Sequence, residues 1–201
     1  MLFRSLAVPI AAGQTAVAAL AAYAFAKLAF RGREALFLLY VLTMLMPFQV
    51  LMVPHYIVSE ALGLTGNWGA IVWPGIFGAF GVFLLRQFMT QTPDDYAEAA
   101  QRDGTGRLTI FARIFLPLTR PGIASLLMLL FIDQWNMVEQ PLLFLDEPFE
   151  QPLSLYLSRV QAEDPGLAFA ASVLYMTPLL LIFLYGENEL VEGIRTAGLK
   201  G

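Results

Sequence analysis

The sequence predicts an all-α membrane protein, a polytopic bundle of about five transmembrane helices of roughly 20 residues each. The 201-residue chain is 58% hydrophobic and only 14% charged, whereas soluble domains carry roughly 25% charged residues. The apolar residues also gather into long stretches that contain few or no charges. A soluble protein of this composition would have almost no polar coat, so we expect the chain to lie in lipid.

The first two predicted spans cover residues 5–26 and 35–54, and neither contains a charged residue. Apolar runs of about 18 residues or more are typical of helices that cross a bilayer, whereas buried helices of soluble proteins usually keep a polar stripe. Pro47 and Pro54 lie in the second span. Packed membrane helices tolerate proline, so these residues predict kinks.

The other three predicted spans cover residues 68–85, 122–145 and 167–186. The third is rich in glycine, and the fifth contains Pro178. The fourth carries Asp133. A charge at membrane depth is costly and usually faces protein or water, so this part of the fourth span is a candidate functional region.

Basic residues predict the orientation, because Lys and Arg next to spans are kept on the cytoplasmic side. With the N-terminus outside and the C-terminus in the cytoplasm, only Arg4 and Arg159 of the 12 basic residues lie outside. The others fall in cytoplasmic segments: Lys27, Arg31, Arg33, Arg86, Arg102, Arg107, Arg113, Arg120, Arg195 and Lys200. The opposite orientation would invert this bias.

The cytoplasmic interval after the third span is predicted to form a helix-turn-helix elbow. Residues 92–95, Thr-Pro-Asp-Asp, supply a capping hydroxyl, a proline at the first helical position and two acids in the first turn. A short helix is therefore expected at 96–102, ending where Gly104 can adopt the left-handed conformation. A second short helix at 108–115 is expected to end before Leu116-Pro117, because a residue before proline is pushed away from helical geometry.

The first short helix of the elbow has one apolar face. Tyr96, Ala99 and Ala100 lie three and four residues apart and therefore share a side of the helix. A partner protein could bind this face, or it could lie on the lipid surface as part of an amphipathic connector. The pattern of residue types alone leaves both readings open.

The elbow resembles a known motif. Glu-Ala-Ala at 98–100, Gly104, and Ile-x-Leu-Pro at 114–117 resemble, at the family's spacing, the EAA loop of ABC importer permeases. Leu-Leu-Arg-Gln-Phe at 84–88 and Trp-Asn at 135–136 are similar to the carbohydrate branch, the maltose-transporter-like inner-membrane subunits. The resemblance covers essentially the whole chain.

This resemblance implies a coupling helix that sits in a cleft of a cytoplasmic ATPase. The family's coupling positions correspond here to Glu98, Ala99, Ala100, Asp103, Gly104, Leu116 and Pro117. The implied partners are a dimer of ATP-binding subunits, a second permease subunit, an extracytoplasmic solute-binding protein and membrane lipid. The setting would be the cytoplasmic (inner) membrane of a bacterium or archaeon.

The resemblance also implies a function without covalent chemistry. The chain would form half of the translocation pathway for a sugar or related solute, with no cofactor, while the partner ATPase hydrolyses ATP. Residues 1–201 would be one permease domain, with a coupling loop at about 92–120 and a cytoplasmic tail at about 187–201. Family members usually have six spans, and this chain aligns from their second. A truncated gene model, a fragment and a reduced subunit are all compatible with that.

Three residues of the fourth span are candidates for the solute pathway: Asp133, Trp135 and Asn136. Aromatic faces and amide or carboxylate oxygens suit the rings and hydroxyl groups of sugars. Hydrogen bonds that pack the spans together are the alternative role for each of them.

Two other function classes compete with a permease. An intramembrane hydrolase needs a nucleophile with a base, or a metal cluster, but the chain has one histidine, His55, and no cysteine, so no metal site is expected. The net charge of −4 is too small to indicate an acidic or basic partner, and no nucleic-acid partner is expected. A channel or secondary carrier shares every composition signal and differs only in having no need of an EAA loop.

Overall fold

The computed structural model describes residues 6–148, 150–157 and 165–198. Within those ranges the chain is helical and contains no β-strand, which confirms the predicted all-α fold. Arg4, Arg159 and Lys200, which entered the prediction of orientation, lie outside the described residues.

The helices are defined here in chain order. They are α1 (Ala7–Lys27), α2 (Arg33–Thr43), α3 (Phe48–Ala61), α4 (Gly69–Ile76), α5 (Ala79–Gln91), α6 (Asp95–Arg102), α7 (Arg107–Ile110), a π-helical turn (Phe111–Phe115), α8 (Leu116–Leu118), α9 (Arg120–Trp135), α10 (Glu139–Phe144), a helical turn at 153–157, and α11 (Pro165–Gly198).

Three helical stretches in the described part of the chain are long and apolar enough to cross a membrane: Ala7–Lys27, Gly69–Gln91 and Pro165–Glu187. Two further pairs of helices pass the same test together, although each pair is interrupted by a bend: α2 with α3, and residues 107–118 with α9. Counting each bent pair as one span gives up to five, in agreement with the predicted number, although the fourth then includes residues 107–118, which were predicted to lie in the interval before the span.

The second predicted span is not one continuous helix. Helix α2 ends at Thr43, and Pro47, with an extended backbone (φ −65°, ψ 144°), precedes α3. Proline has no N–H to donate to a helical hydrogen bond, so the helix breaks there. Pro54, by contrast, lies inside α3 without ending it, as membrane helices permit.

The fourth predicted span is shorter than the sequence indicated. Helix α9 ends at Trp135, and α10 is a separate short helix. Asn136 Nδ2 donates to the Ile132 carbonyl oxygen at 2.7 Å, so the side chain competes with backbone groups for a carbonyl at the end of the helix. The segment predicted over about 122–145 therefore comprises two helices and not one.

The predicted charged tail is a continuation of the last helix. Helix α11 extends from the last span to Gly198. Six of the twelve residues at 187–198 are Glu, Leu, Arg or Ala, which are good helix formers, and none is proline. Polarity therefore marks the end of the apolar span and not the end of the helix. Residues 199–201 of the predicted tail lie outside the described residues.

The contacts within the chain divide it into two compact units. Unit 1 comprises Met1–Gly13, Pro47–Ile76 and Met128–Gly186, and unit 2 comprises Gln14–Met46, Phe77–Leu127 and Glu187–Gly201. In unit 1 a core forms around buried Leu6, Ile10, Ala70, Ile71, Phe144 and Leu145. The single permease domain remains a prediction.

In unit 2, helices α1 and α5 pack closely. A Cβ atom added at Gly81 of α5 would lie 2.9 Å from the Cβ of Ala18 on α1, which is too close for two carbon atoms. Small residues at such a contact let helix backbones approach each other in membrane proteins. This contact holds the middle of α1 against α5, the helix that precedes the elbow (residues 92–120).

Candidate functional site

Helix α6 begins the elbow, two residues later than the Thr92 cap would place it. The N-cap is Asp94, and it makes no side-chain capping hydrogen bond. The Asp94 carboxylate instead accepts from Lys27 Nζ at 2.5 Å, and the Thr92 carbonyl oxygen accepts from the same ammonium at 2.6 Å. The predicted capping hydroxyl is therefore wrong, because Asp94 provides the N-cap and a distant lysine engages this segment.

The end of α6 matches the prediction. Gly104 has a positive φ of 77°, its N–H donates to the Gln101 carbonyl, and the Thr105 N–H donates to the Ala100 carbonyl, both at 2.9 Å. This pair of hydrogen bonds is a Schellman motif, which closes a helix through a left-handed residue. Residues other than glycine rarely adopt this conformation, so Gly104 determines where α6 stops.

No residue of α6 is buried by the described part of the chain. Tyr96 is 53% exposed, Glu98 and Ala99 are exposed, and Ala97 and Ala100 are half-buried. The chain therefore covers only part of the predicted apolar face: Ala100 is half-buried, whereas Tyr96 and Ala99 are exposed. A helix that carries both charges and an open apolar side chain can bind a complementary surface.

The second half of the elbow instead buries one of its faces against the rest of the chain. Ile110, Phe111 and Phe115 are buried, and the Tyr23 ring lies 5.1 Å from the Phe111 ring and 5.3 Å from the Phe115 ring, measured between centroids. The Tyr23 hydroxyl also donates to the Arg107 carbonyl at 3.3 Å. Aromatic pairs at such distances contribute stability beyond the area they bury, so α1 anchors this half of the elbow.

The second short helix does not end before Leu116-Pro117. Helix α7 passes into the π-helical turn and then into α8, which contains Pro117. A π-turn contains one residue more than an α-turn. Proline is tolerated near the beginning of a helix, where its missing N–H is not needed, and Pro117 lies in the first turn of α8. Leu116 and Pro117 are both half-buried.

A second cation holds the end of α1. The Arg86 guanidinium of α5 donates to both carboxylate oxygens of Glu34, at 2.8 and 2.9 Å. It also donates to the Phe25 carbonyl at 3.3 Å and lies 3.8 Å from the centroid of the Phe37 ring. Both contacts with Glu34 come from one nitrogen, Nη2, and a charge-assisted contact with a carboxylate together with stacking on a ring uses the charge and the planar shape of arginine. Arg86 thereby joins α1, α2 and α5.

The pathway candidates lie in unit 1. Trp135 lies 5.3 Å from Phe131 and 5.6 Å from Tyr175, between ring centroids. The Tyr175 hydroxyl donates to the Trp135 carbonyl at 2.7 Å and lies 3.1 Å from Asn136 Oδ1. Asp133 is exposed and accepts from the neighbouring Gln134 at 2.8 Å. Tyr175 thus contacts both Trp135 and Asn136, while Asp133 makes a separate contact.

A cavity of about 390 Å³ adjoins this aromatic cluster. Trp135, Tyr175, Gln134 and Ser154 line it together with mainly aliphatic side chains. The Trp135 indole N–H is buried and has no hydrogen-bond partner among the described residues. The cavity is mostly apolar, with a few polar groups at its wall, as small-molecule sites commonly are.

Comparison with known protein families gives a match over most of the chain. The family described as the binding-protein-dependent transport system inner membrane component matches residues 14–187. The chain belongs to this family of ABC transporter permeases. The predicted identity, an ABC importer permease similar to the carbohydrate branch, is confirmed.

Several curated permeases are similar to this one. A permease of an arabinooligosaccharide transport system from Halalkalibacterium halodurans is 30% identical over 89% of this chain and 65% of its own length. An uptake permease for osmoprotective compounds from Synechocystis is 33% identical over 98% of this chain and 68% of its own. A permease of a diacetylchitobiose uptake system from Streptomyces coelicolor is 29% identical over 92% of this chain and 69% of its own. The chain therefore spans about two thirds of the length of these relatives.

A solved structure shares the fold of this permease. The crystal structure of a bacterial ABC transporter involved in the import of the acidic polysaccharide alginate contains a chain that matches with a TM-score of 0.80. The match covers 90% of this permease and 70% of that chain, at 23% identity. At this level of identity the match establishes the helical fold and not the solute.

Sequence reasoning on this permease missed the contacts that hold the elbow, which Tyr23 and Lys27 make, and those that hold the end of α1, which Glu34 and Arg86 make. A signal for Lys27 was present, because it is the first charged residue after an uncharged span. Its partner Asp94 lies 67 residues away, however, and no local pattern connects the two. A signal for Tyr175 was also present, because its hydroxyl group lies in an otherwise apolar span and needs a hydrogen-bond partner.

Proposed function

We propose that the chain is a membrane-spanning permease subunit of an ATP-binding-cassette importer. It forms half of the translocation pathway and couples it through the elbow to a cytoplasmic ATPase. The observation that carries the proposal is that α6, which bears the EAA motif, has no residue buried by the described chain, while the next turns of the elbow are held against α1. An anchored base with an open helix is a suitable docking element.

Within the elbow the proposed roles follow burial. Glu98, Ala99 and Asp103 are exposed, so they contact the ATPase. Ala100 permits close approach, and Gly104 fixes the end of the docking helix by its left-handed backbone. Leu116 and Pro117 are half-buried, and they connect the docking helix to the membrane bundle.

The partners and the direction of movement follow from this role. A pair of ATP-binding subunits, a second permease subunit and an extracytoplasmic solute-binding protein complete the importer in a lipid membrane. The elbow and the C-terminus face the cytoplasm and the N-terminus faces outside, which agrees with the bias of the basic residues. ATP shifts the permease between inward-open and outward-open states by binding one of them better.

The solute is proposed to be a sugar or a related compound. Two of the similar permeases described above belong to transport systems for oligosaccharides. Asp133, Trp135 and Asn136 are proposed as pathway residues, supported by the aromatic cluster and the adjoining cavity. An indole face and an amide suit a sugar ring and its hydroxyl groups.

The test is co-purification of the tagged chain with its companion subunits, followed by solute-stimulated ATP hydrolysis in lipid nanodiscs. We expect Glu98→Ala and Gly104→Pro to lower recovery of the ATP-binding subunit and the stimulated hydrolysis, because the first removes a docking charge and the second cannot adopt a positive φ. Membrane insertion should survive in both. Gln101→Ala, an exposed change on the same helix, is the matched control.

Undiminished recovery and stimulation in both variants would refute the coupling role. Solute transport by the purified chain in liposomes without any ATPase would also contradict the proposal, and it would favour the channel or secondary carrier.

A further inference from the structure

We propose that Lys27 is a positioning residue that joins the first span to the docking helix, and that its contact with Asp94 transmits movement of α6 to α1. The inference rests on the proposed function, in which α6 binds an ATP-binding subunit. It adds a residue outside the EAA motif, at the far end of a different helix.

The surroundings of Lys27 hold its ammonium in one place. Only 6% of the side chain is exposed, and Nζ lies 2.5 Å from Asp94 Oδ1, 2.6 Å from the Thr92 carbonyl oxygen and 5.3 Å from the centroid of the Phe115 ring. A buried charge needs such partners to offset its lost water. A lysine that only marked the end of a span would project into the headgroup region instead.

The contact connects two helix ends. Lys27 is the last residue of α1, and Asp94 is the N-cap of α6. The two groups that Lys27 binds, the Thr92 carbonyl and the Asp94 carboxylate, lie on either side of Pro93, whose ring restricts the backbone. A displacement of α6 must therefore carry the end of α1 with it or break the contact.

The end of α1 is itself held by the Arg86 contacts. Arg86 binds the Phe25 carbonyl, two residues before Lys27, and it also pairs with Glu34. The chain of contacts thus runs from Asp94 through Lys27 and the last turn of α1 to α2 and α5. Arg31, four residues after Lys27, is exposed and forms no ion pair in the part of the chain that the structure describes.

The experiment uses the assembled transporter with the full chain. We expect Lys27→Met to leave recovery of the ATP-binding subunit near the wild-type level, because the exposed residues of α6 are unchanged. Solute-stimulated hydrolysis should fall about tenfold, within the range by which single residues alter coupling. Asp94→Asn should do the same, and Lys27→Arg, which keeps the charge and the donor, should restore most of the stimulation.

The matched controls are Arg31→Met and Asp95→Asn, which remove the same charges at exposed positions nearby. Both should behave like the wild type. The double variant Lys27→Met with Asp94→Asn should lose no more than either single variant, because both act through one contact.

Several outcomes would overturn the inference. If Lys27→Met recovers the ATP-binding subunit and hydrolyses ATP at the wild-type stimulated rate, the inference is contradicted and the docking role stays intact. If the wild-type chain itself recovers no ATP-binding subunit, the docking role is contradicted. If Lys27→Met lowers the membrane yield, the exposed Asp94→Asn carries the test, and normal stimulation in that variant contradicts the inference. Additive losses in the double variant also contradict it.

Discussion

The two halves of the elbow use their side chains in opposite ways. The described part of the chain buries no residue of helix α6, whereas it buries Ile110, Phe111 and Phe115 of the following turns. The first half is Asp-Tyr-Ala-Glu-Ala-Ala-Gln-Arg, and the second contains two phenylalanines four residues apart, Phe111 and Phe115. One half of the elbow is therefore anchored by the permease, and the other half is open to a partner protein.

The largest expected effect lies in the anchored half. Phe115→Ala removes a fully buried ring that packs against Tyr23 and Lys27, and such truncations cost about 3–5 kcal/mol. Thermal unfolding of the purified protein in detergent should therefore show a clearly lower Tm. Tyr96→Ala on the exposed half is the control, expected to change stability by about 0.5 kcal/mol or less. Equal shifts in Tm would contradict the division of the elbow.

The sequence predicted the exposed half of the elbow better than the anchored half. The helical body of α6 and its end at Gly104 follow from local signals: helix-forming residues and one glycine that can take a positive φ. The π-turn at 111–115 and the contact of Lys27 with Asp94 depend on α1, which is distant in sequence. Propensity and capping are local properties, and tertiary packing overrides them.

The same contrast holds for the spans. Five apolar segments were evident from stretches with few or no charges, because lipid requires apolar surfaces. Pro47 marked a weak point in the second span, but the sequence did not say that the helix would stop there. The sequence identified Trp135 and Asn136 as pathway candidates. It did not identify Tyr175, which contacts both from a different helix.

A smaller effect is expected at the junction of the two halves. Gly104→Ala puts a side chain on a backbone with φ 77°, which costs roughly 1–2 kcal/mol. Gly106→Ala is the matched control, because Gly106 has φ −70° and neither glycine has a neighbour within 4 Å of an added Cβ. The measurement is again thermal unfolding, together with recovery of the ATP-binding subunit. If both variants lose the same stability, the left-handed conformation is not what matters at residue 104.

The smallest effect is expected within the exposed half. Arg102 and Glu98 form an i,i+4 ion pair at 3.5 Å, with side chains 80% and 61% exposed. Exposed pairs of this kind contribute roughly 0.5 kcal/mol or less, so Arg102→Ala should leave Tm nearly unchanged. If Glu98 acts by contacting the ATPase, Arg102→Ala should also leave recovery of the ATP-binding subunit near wild type while Glu98→Ala lowers it. If the two variants lose recovery of the ATP-binding subunit equally, Glu98 acts by stabilising α6. Its carboxylate would then make no direct contact with the ATPase.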